Sequence, residues 1–489
     1  MASHRTRRRV TVLALLALSA GVLATAATAA PAPVGQPVFE TFDPPKGFQT
    51  ADVLGRTNAG EPSVGYNAKS GAILTMAGTQ VSRLTLSETY PAKATWTDVT
   101  PTEQQVVNED AILFTDPATG RTWTAGLLVA GSEGTYSDDD GKTWQTNQGF
   151  PEPHGPDHET LGAGPFTEGK PLTALYPHAL YYCSQNIVQA AGAFCGRSDD
   201  GGLTYNPSSP VFGATSPCGS LHGHVKVSPR GYVYVPQNNC TRKDGKAGQG
   251  MAVSADNGQT WTYSVVPDSL KQSAGSDPSV GIGARDTVYY GYADGSGHPK
   301  VAVSHDHGKT WSRSSDVGAS QHIANTEFPE MVVGDDNRAA FAYLGTTDDG
   351  SDQSPKFGGT WYLFVSYTYD GGKTWTTVNA TPHHPVQRGC IWNGGGSNPC
   401  RNLLDFNDAT VDRLGRVVVA YTDGCKDISY SYASLTGGAQ GSVHGPSKCE
   451  SNPNSFKDTD KVAFLAVSRQ ACGKGLYAKY DDTLVHRCS

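Results

Sequence analysis

Carboxylates and imidazoles, the side chains that move protons at ordinary pH, recur in this chain at one kind of place. Glu61, Asp110, the run Asp157, His158 and Glu159, His222 with His224, Asp277, Glu327 with Glu330, and Asp408 each stand at or beside the start of a short unit. Each unit is a strand, a turn and a hydrophobic strand. They read "EPSVGYNAKSGAILTMAG" from Glu61, "DAILFTDPATGRTWTAGL" from Asp110, "HETLGAGP" from His158, "HGHVKVSPRGYVYV" from His222, "DPSVGIGARDTVYYGY" from Asp277, "FPEMVVGDDNRAAFAY" from Phe328 and "FNDATVDRLGRVVVAY" from Phe406. The starts lie about 50 residues apart plus insertions, the period of a repeat architecture. If the starts converge, crowded like charges raise some carboxyl pKa values, so that one acid stays protonated while its neighbour ionises. The candidate catalytic residues are therefore Glu61, Asp110, His158, His224, Asp277, Glu330 and Asp408. The competing reading of any one of them is an acid that caps a turn in a wet channel.

What positions these groups is visible in a second repeat. "SDDDGKTW" from Ser137, "SDDGGLTY" from Ser198, "SADNGQTW" from Ser254, "SHDHGKTW" from Ser304 and "TYDGGKTW" from Thr368 share a hydroxyl, an Asp, a Gly, a Thr and an aromatic. The two histidines of the fourth copy suggest a metal, but His305 and His307 fall at variable positions. The constant residues describe a hairpin turn. Asp139, Asp200, Asp256, Asp306 and Asp370 can accept the turn's own N–H groups, and the glycine at the fifth place supplies a positive φ. Thr and the aromatic then start the return strand, with the ring expected to be buried against the sheet.

The pattern S-x-D-x-G-x-T-W resembles the Asp-box, or BNR repeat, of sialidases and other β-propellers. The resemblance implies an all-β fold. The seven units imply seven four-stranded blades, with boxes in blades two to six and degenerate turns in blades one and seven. A six-bladed ring is the alternative, with "HETLGAGP" as the weakest unit. In this reading residues 1–29 are a signal peptide, 30–54 an N-terminal segment that can contribute a closing strand through "PVFETF", and 55–489 a single propeller. The C-terminal "KVAFLAVSR" and "GLYAKY" are the other means of closure. Inner strands line the channel, and the long loops at the end opposite the boxes form the ligand face.

The likeness to sialidases weakens at the chemistry. Their F-R-I-P motif supplies an arginine for the substrate carboxylate, and the matching segment here, "AGEPS", keeps Pro62 and Ser63 but has Gly60 and Glu61 before them. A carboxylate there repels sialic acid. No Tyr and Glu pair carries over by motif.

The remaining features bound the class. With 57 Gly and 30 Pro and only 17% charged residues, the chain suits short strands and turns rather than helices. A net charge of -8 argues against nucleic acid as a partner. "RTRRRV", the apolar run "TVLALLALSAGVLA" and the small residues after it have the plan of a secretory signal cleaved after Ala29, too short for a membrane anchor. The ten cysteines, suited to an oxidising compartment, fall into sequential pairs: Cys183 with Cys195, Cys218 with Cys240, Cys390 with Cys400, Cys425 with Cys449, and Cys472 with Cys488. No cofactor is required. A calcium ion is conceivable at "TTDDGSDQ", which has the acid density of a calcium loop without the EF-hand pattern. The expected product is a secreted monomer whose partner is an extracellular glycan or polysaccharide. Three functions fit: a glycoside hydrolase using carboxylates among Glu61, Asp277, Glu330 and Asp408; a lyase of uronic-acid polymers using His158, His222 or His224 as base; and a non-catalytic propeller binding glycan or protein through Trp392, Tyr362 and other aromatics.

Overall fold

The computed structural model describes residues 35–45, 59–102, 109–128, 131–150, 155–167, 169–186, 188, 192–213, 215–271, 276–396, 398, 400–426, 439–440, 442–443, 448–451 and 462–488. The expected signal peptide lies outside them. The strands form seven antiparallel sheets, each with four main strands in order from the inside outward. The inner strands are Ser63–Tyr66, Glu109–Thr115, Pro156–Gly164, Lys226–Val227, Ser279–Ile282, Asn325–Val333 and Asp408–Val411. Each inner strand touches those of both neighbouring blades, the first and seventh included, so the sheets form a closed seven-bladed propeller. "HETLGAGP" is the inner strand of blade three, paired with Ala179–Asn186 across a long turn.

The strands form where β-branched and aromatic residues run between turn residues, as in Val288–Ala293 (VYYGYA), buried throughout. Hydrophobic side chains from adjacent blades interdigitate in seven clusters, one for each pair of neighbouring blades. Trp361, Val365 and Tyr421 fill the cluster between blades six and seven. Trp96 and Phe42 fill the one between blades one and seven.

Blade seven draws on both ends of the chain. Its third strand is Phe464–Cys472 and its outer strand is Val38–Asp43, with Phe42 opposite Val467. All ten cysteines form the five sequential disulfides. Cys183 and Cys195 face each other across strands two and three of blade three, and Cys472–Cys488 ties a short C-terminal helix, Asp481–Val485, to the last blade. Among the described residues no helix is long and apolar enough to cross a membrane.

The five boxes lie between the third and fourth strands of blades two to six. In the fourth copy Asp306 Oδ1 accepts the Thr310 N–H at 2.8 Å, Oδ2 accepts the Thr310 hydroxyl at 2.6 Å, and the Gly308 N–H reaches Ser304 Oγ at 2.9 Å. Burial works against the charge, but these bonds prevail and hold the Asp306 carboxyl at about 2. The residue before the box glycine is left-handed in every copy: Asp140, Gly201, Asn257, His307 and Gly371 have φ of 60°, 79°, 59°, 62° and 78°. Gly, Asn, Asp and His tolerate that conformation best, which accounts for His307. Its ring stacks on Tyr232 at 4.1 Å, and His305 Nδ1 lies 3.4 Å from the Thr287 hydroxyl. The box aromatics are half-buried rather than buried, because they seal the seam with the preceding blade. Trp144 Nε1 donates to the Val99 carbonyl at 2.7 Å and Trp311 Nε1 to Ser264 Oγ at 2.9 Å.

Candidate active site

At the end of the channel away from the boxes, several inner strands begin with a strained residue. Glu61, Asp110, His158 and Phe328 have φ of 55°, 51°, 58° and 54°. The pairing of inner with second strand slips between Glu109 and Ile112, Asp157 and Thr160, and Glu327 and Glu330, so Asp110, His158 and Phe328 are bulge residues. Glu61 and Phe328 also precede prolines, which disfavour helical backbone. A left-handed non-glycine costs roughly 1–2 kcal/mol, and strain of this kind clusters at functional sites. Below the bulges, inner strands of several neighbouring blades are stitched together by side chains that accept a neighbour's N–H. Ser63 Oγ takes that of Leu113 at 2.9 Å, Ser279 Oγ that of Met331 at 2.9 Å, and Asp408 Oδ2 that of Val64 at 2.8 Å.

Two groups of ionisable side chains result. In the first, His158 of blade three meets Asp277 of blade five, Nε2 to Oδ2 at 2.6 Å. Burial alone would strip the imidazole of its proton, but Asp277, with Asp110 and Asp405 behind it, holds its pKa well above the usual value. Asp110 Oδ2 accepts the His158 N–H at 3.0 Å, and burial lifts its carboxyl to about 6. Glu61 Oε1 accepts the Asp405 N–H at 3.1 Å; burial and the nearby Asp405 and Asp110 push Glu61 well above the usual range. Arg401 grips Asp405 with two N–H groups, the second at 2.8 Å.

In the second group His224 of blade four faces blades six and seven, with Nδ1 3.6 Å from Glu330 Oε1 and 3.9 Å from Asp408 Oδ1. Its ring packs edge-on against Phe406 at 4.6 Å. Burial and the Lys226 charge keep it neutral, and burial brings His222, whose Nδ1–H donates to the Gly223 carbonyl, down to about 3. Glu330 Oε2 accepts the Ser279 hydroxyl at 3.0 Å and lies 4.0 Å from Lys226 Nζ. Burial lifts Glu330 to about 8, against the pull of Lys226 and with Asp408 adding to the rise. Asp408 is oriented by N–H groups of Val64 and Ala409, each at 2.8 Å. Burial takes it to about 6, against Lys226.

The donor atoms of His224, Glu330 and Asp408 all lie within 4.8 Å of one another, a set unique among the described residues. An imidazole with two carboxylates suits a transition metal better than calcium. Lys226 already supplies a cation there and Asp408 has an N–H group on each oxygen, so the set fits an ion poorly. In "TTDDGSDQ" Asp348 and Asp352 serve the loop itself, Asp352 Oδ1 accepting the Gln353 N–H at 3.0 Å. Asp348 Oδ2 accepts the Thr346 hydroxyl and the Thr360 N–H, while Gln353 and Asn393 both donate to the buried Glu327, at 3.0 and 2.6 Å.

All seven candidate catalytic residues stand at the same end of the channel, Glu61, Asp110, His158 and Asp277 in the first group and His224, Glu330 and Asp408 in the second. Glu159, lifted to about 8 by burial, turns aside to Ser132 at 2.6 Å. Asp405 and Lys226 were not anticipated. Lys226 was within reach of the alternation of "HGHVK", which points His222, His224 and Lys226 the same way.

The BNR/Asp-box repeat family matches residues 302–313. No curated protein matches the chain. Among solved structures, a protein of unknown function from Dyadobacter fermentans aligns with a TM-score of 0.41 and 15% identity over 88% of this chain and 97% of its own. A GH74 enzyme from Niastella koreensis aligns with a TM-score of 0.44 and 17% identity over 78% of this chain and 54% of its own. An α-L-arabinofuranosidase from Fusarium graminearum aligns with a TM-score of 0.38 and 13% identity over 71% of this chain and 98% of its own. With seven closed blades, the chain is a seven-bladed β-propeller, and the turn of its fifth blade matches the BNR/Asp-box repeat.

Proposed function

We propose that this propeller is a secreted glycoside hydrolase, with Glu330 as proton donor and Asp408 as the carboxylate that takes the anomeric carbon. One observation carries the reading: two carboxyl groups from adjacent blades, with oxygens within 4.8 Å, hold their protons to about 8 and about 6. At neutral pH one is an acid and the other a carboxylate, the division of labour that glycoside cleavage requires. In the first step Glu330 gives its proton to the glycosidic oxygen, the C1–O bond breaks, and Asp408 bonds to C1. In the second, water attacks C1, its proton passes to Glu330, and Asp408 leaves. The short separation favours this retaining course, since inverting pairs stand roughly 6.5–9.5 Å apart. His158, held cationic by Asp277, is a fixed charge at the mouth. The acids around it, with Glu61 beside Gly60, favour a neutral glycan over sialic acid or a uronate. Five disulfides support an oxidising, extracellular setting.

The test is a screen of neutral polysaccharides for new reducing ends, with nuclear magnetic resonance of the first-formed anomer. Glu330→Gln and Asp408→Asn each lower kcat by about 10²–10⁴-fold without lowering the melting temperature, and a fluorogenic sialic-acid substrate releases nothing. Products with an inverted anomer, or full turnover by Glu330→Gln, would refute the assignment. A binding propeller is the second reading, favoured by the half-buried Trp392 on the loop closed by Cys390–Cys400 and by Tyr362 on the same blade; binding without reducing ends identifies it. The lyase reading is less well served, because His158 already carries its proton and His222 and His224 are weak bases.

A further inference from the structure

The other end of the propeller holds a second concentration of charge. At the seam of blades one and seven, on the box side, four arginines gather around one glutamate. Glu88 sits in the turn between the third and fourth strands of blade one, its side chain 44% exposed. Arg416 reaches it with two nitrogens at 2.9 and 3.0 Å, Arg487 at 2.8 Å and Arg413 at 3.6 Å. Arg416 also binds Asp412 at 2.5 Å. Arg469, 2% exposed, adds a fourth guanidinium that lies over the Phe42 ring at 5.9 Å and, among the described residues, donates to the Ser87 carbonyl at 3.4 Å.

The charges do not balance. Among the described residues, four guanidinium groups share two nearby carboxylates, Glu88 and Asp412. Burial, and then the repulsion of Arg416, bring even Arg469 down to about 10, while the hydrogen bonds of Arg416 and Arg487 overcome burial and take Glu88 to about 2. The Nε atoms of Arg469 and Arg487 are buried with no acceptor among the described residues. A buried donor left unpaired costs roughly 1–3 kcal/mol, and planar N–H forks in excess of carboxylates are how proteins take up oxyanions. A network that served only to tie the C-terminal segment to blade one would need neither the surplus cations nor the unpaired donors.

We propose that this cluster is an oxyanion-binding site for a sulfate or phosphate group, free or esterified to a sugar, and that Glu88 is its built-in competitor. Glu88 rides on an exposed turn, Ser87 to Pro91, and can swing out as the anion enters. The site is independent of the channel residues, so it stands or falls apart from the proposed hydrolase.

The experiment is thermal denaturation and calorimetry with sodium sulfate against sodium chloride at matched ionic strength. In the wild type sulfate gives a saturable stabilisation above the unsaturable effect expected of an excluded salt. Glu88→Gln tightens sulfate binding about tenfold or more, the loss of one competing charged hydrogen bond. Arg413→Gln, a change at a half-exposed residue that leaves the fold intact, abolishes the saturable part. A sulfated monosaccharide that binds more tightly than inorganic sulfate, and loses that binding with Arg413→Gln, identifies the ester as ligand; equal affinity identifies the free anion. If sulfate shows no saturable binding in either the wild type or Glu88→Gln, the proposal fails.

Discussion

The two ends of the propeller use the same acidic side chains in opposite ways. At the box end, Asp139, Asp200, Asp256, Asp306 and Asp370 are each satisfied by a hydroxyl and N–H groups from their own turn, and every one is held below the usual carboxylate range despite some burial. At the channel end, Glu61, Asp110, Glu330, Asp405 and Asp408 come from four blades, compete for a few cations, and are all raised by burial. A local turn can provide every bond an aspartate needs. A ring of strand starts cannot, and the shortfall appears as protons retained near neutral pH. Burial and incomplete pairing, rather than residue type, separate a structural acid from a chemical one.

The contrast can be broken most forcefully at Asp277. Its removal strands the His158 charge, so Asp277→Asn should cost about 3–5 kcal/mol by chemical denaturation, with turnover falling as a consequence of lost order. An Asp277→Asn protein of wild-type stability would show that the pair is not the buried ion pair described. Next is pH. Glu330 releases its proton at about 4.5 when unfolded and at about 8 when folded, so its contribution is complete below the former and lost as pH rises through the latter. Measured against Glu330→Gln, the wild type should therefore lose melting temperature progressively from pH 5 to pH 9. Turnover should be bell-shaped, rising as Asp408 ionises near 6 and falling as Glu330 ionises near 8. A difference between wild type and Glu330→Gln that does not grow with pH contradicts the assignment.

Smaller effects belong to the boxes. Asp306→Ala should cost about 1 kcal/mol in denaturant titration, and because Asp306 titrates at about 2 when folded, its contribution disappears only in strong acid. His307→Gly should change stability by no more than about 0.5 kcal/mol, since it trades the Tyr232 stack for relief of a left-handed backbone. His307→Val, with a β-branch at the same φ, should lose about 1–2 kcal/mol. If valine is tolerated as well as glycine, the explanation of His307 by backbone conformation is wrong.

Much of the fold was legible because its signals are local. The boxes, the seven strand-turn-strand units and the sequential cysteines each lie within a few tens of residues, and blade number and disulfide pairing follow from them. The site is harder to read because its partners are neighbours on a ring. His158 and Asp277 belong to blades three and five, and no distance along the chain says that their side chains touch. Glu61 and Asp405 lie at opposite ends of the sequence yet meet where blades one and seven close. Asp405 precedes the unit that begins at Phe406, so a search of strand starts passes it by. The left-handed bulges were hidden too, because Glu, Asp, His and Phe in that conformation have no common composition.

Blade seven has one further consequence, in the order of events during folding. Its outer strand, Val38–Asp43, finds its partner only when Phe464–Cys472 has left the ribosome. Until then the early strand is an unpaired edge and the six finished blades are an open arc, without the seam that Trp96 and Phe42 fill. Joining such distant segments is slow, because the entropy of closing so long a loop is lost before any contact rewards it. The chain therefore spends its longest vulnerable interval with one ready-made template for intermolecular pairing exposed. Deleting residues 38–43 should leave each blade's hairpins intact and still yield a protein that aggregates.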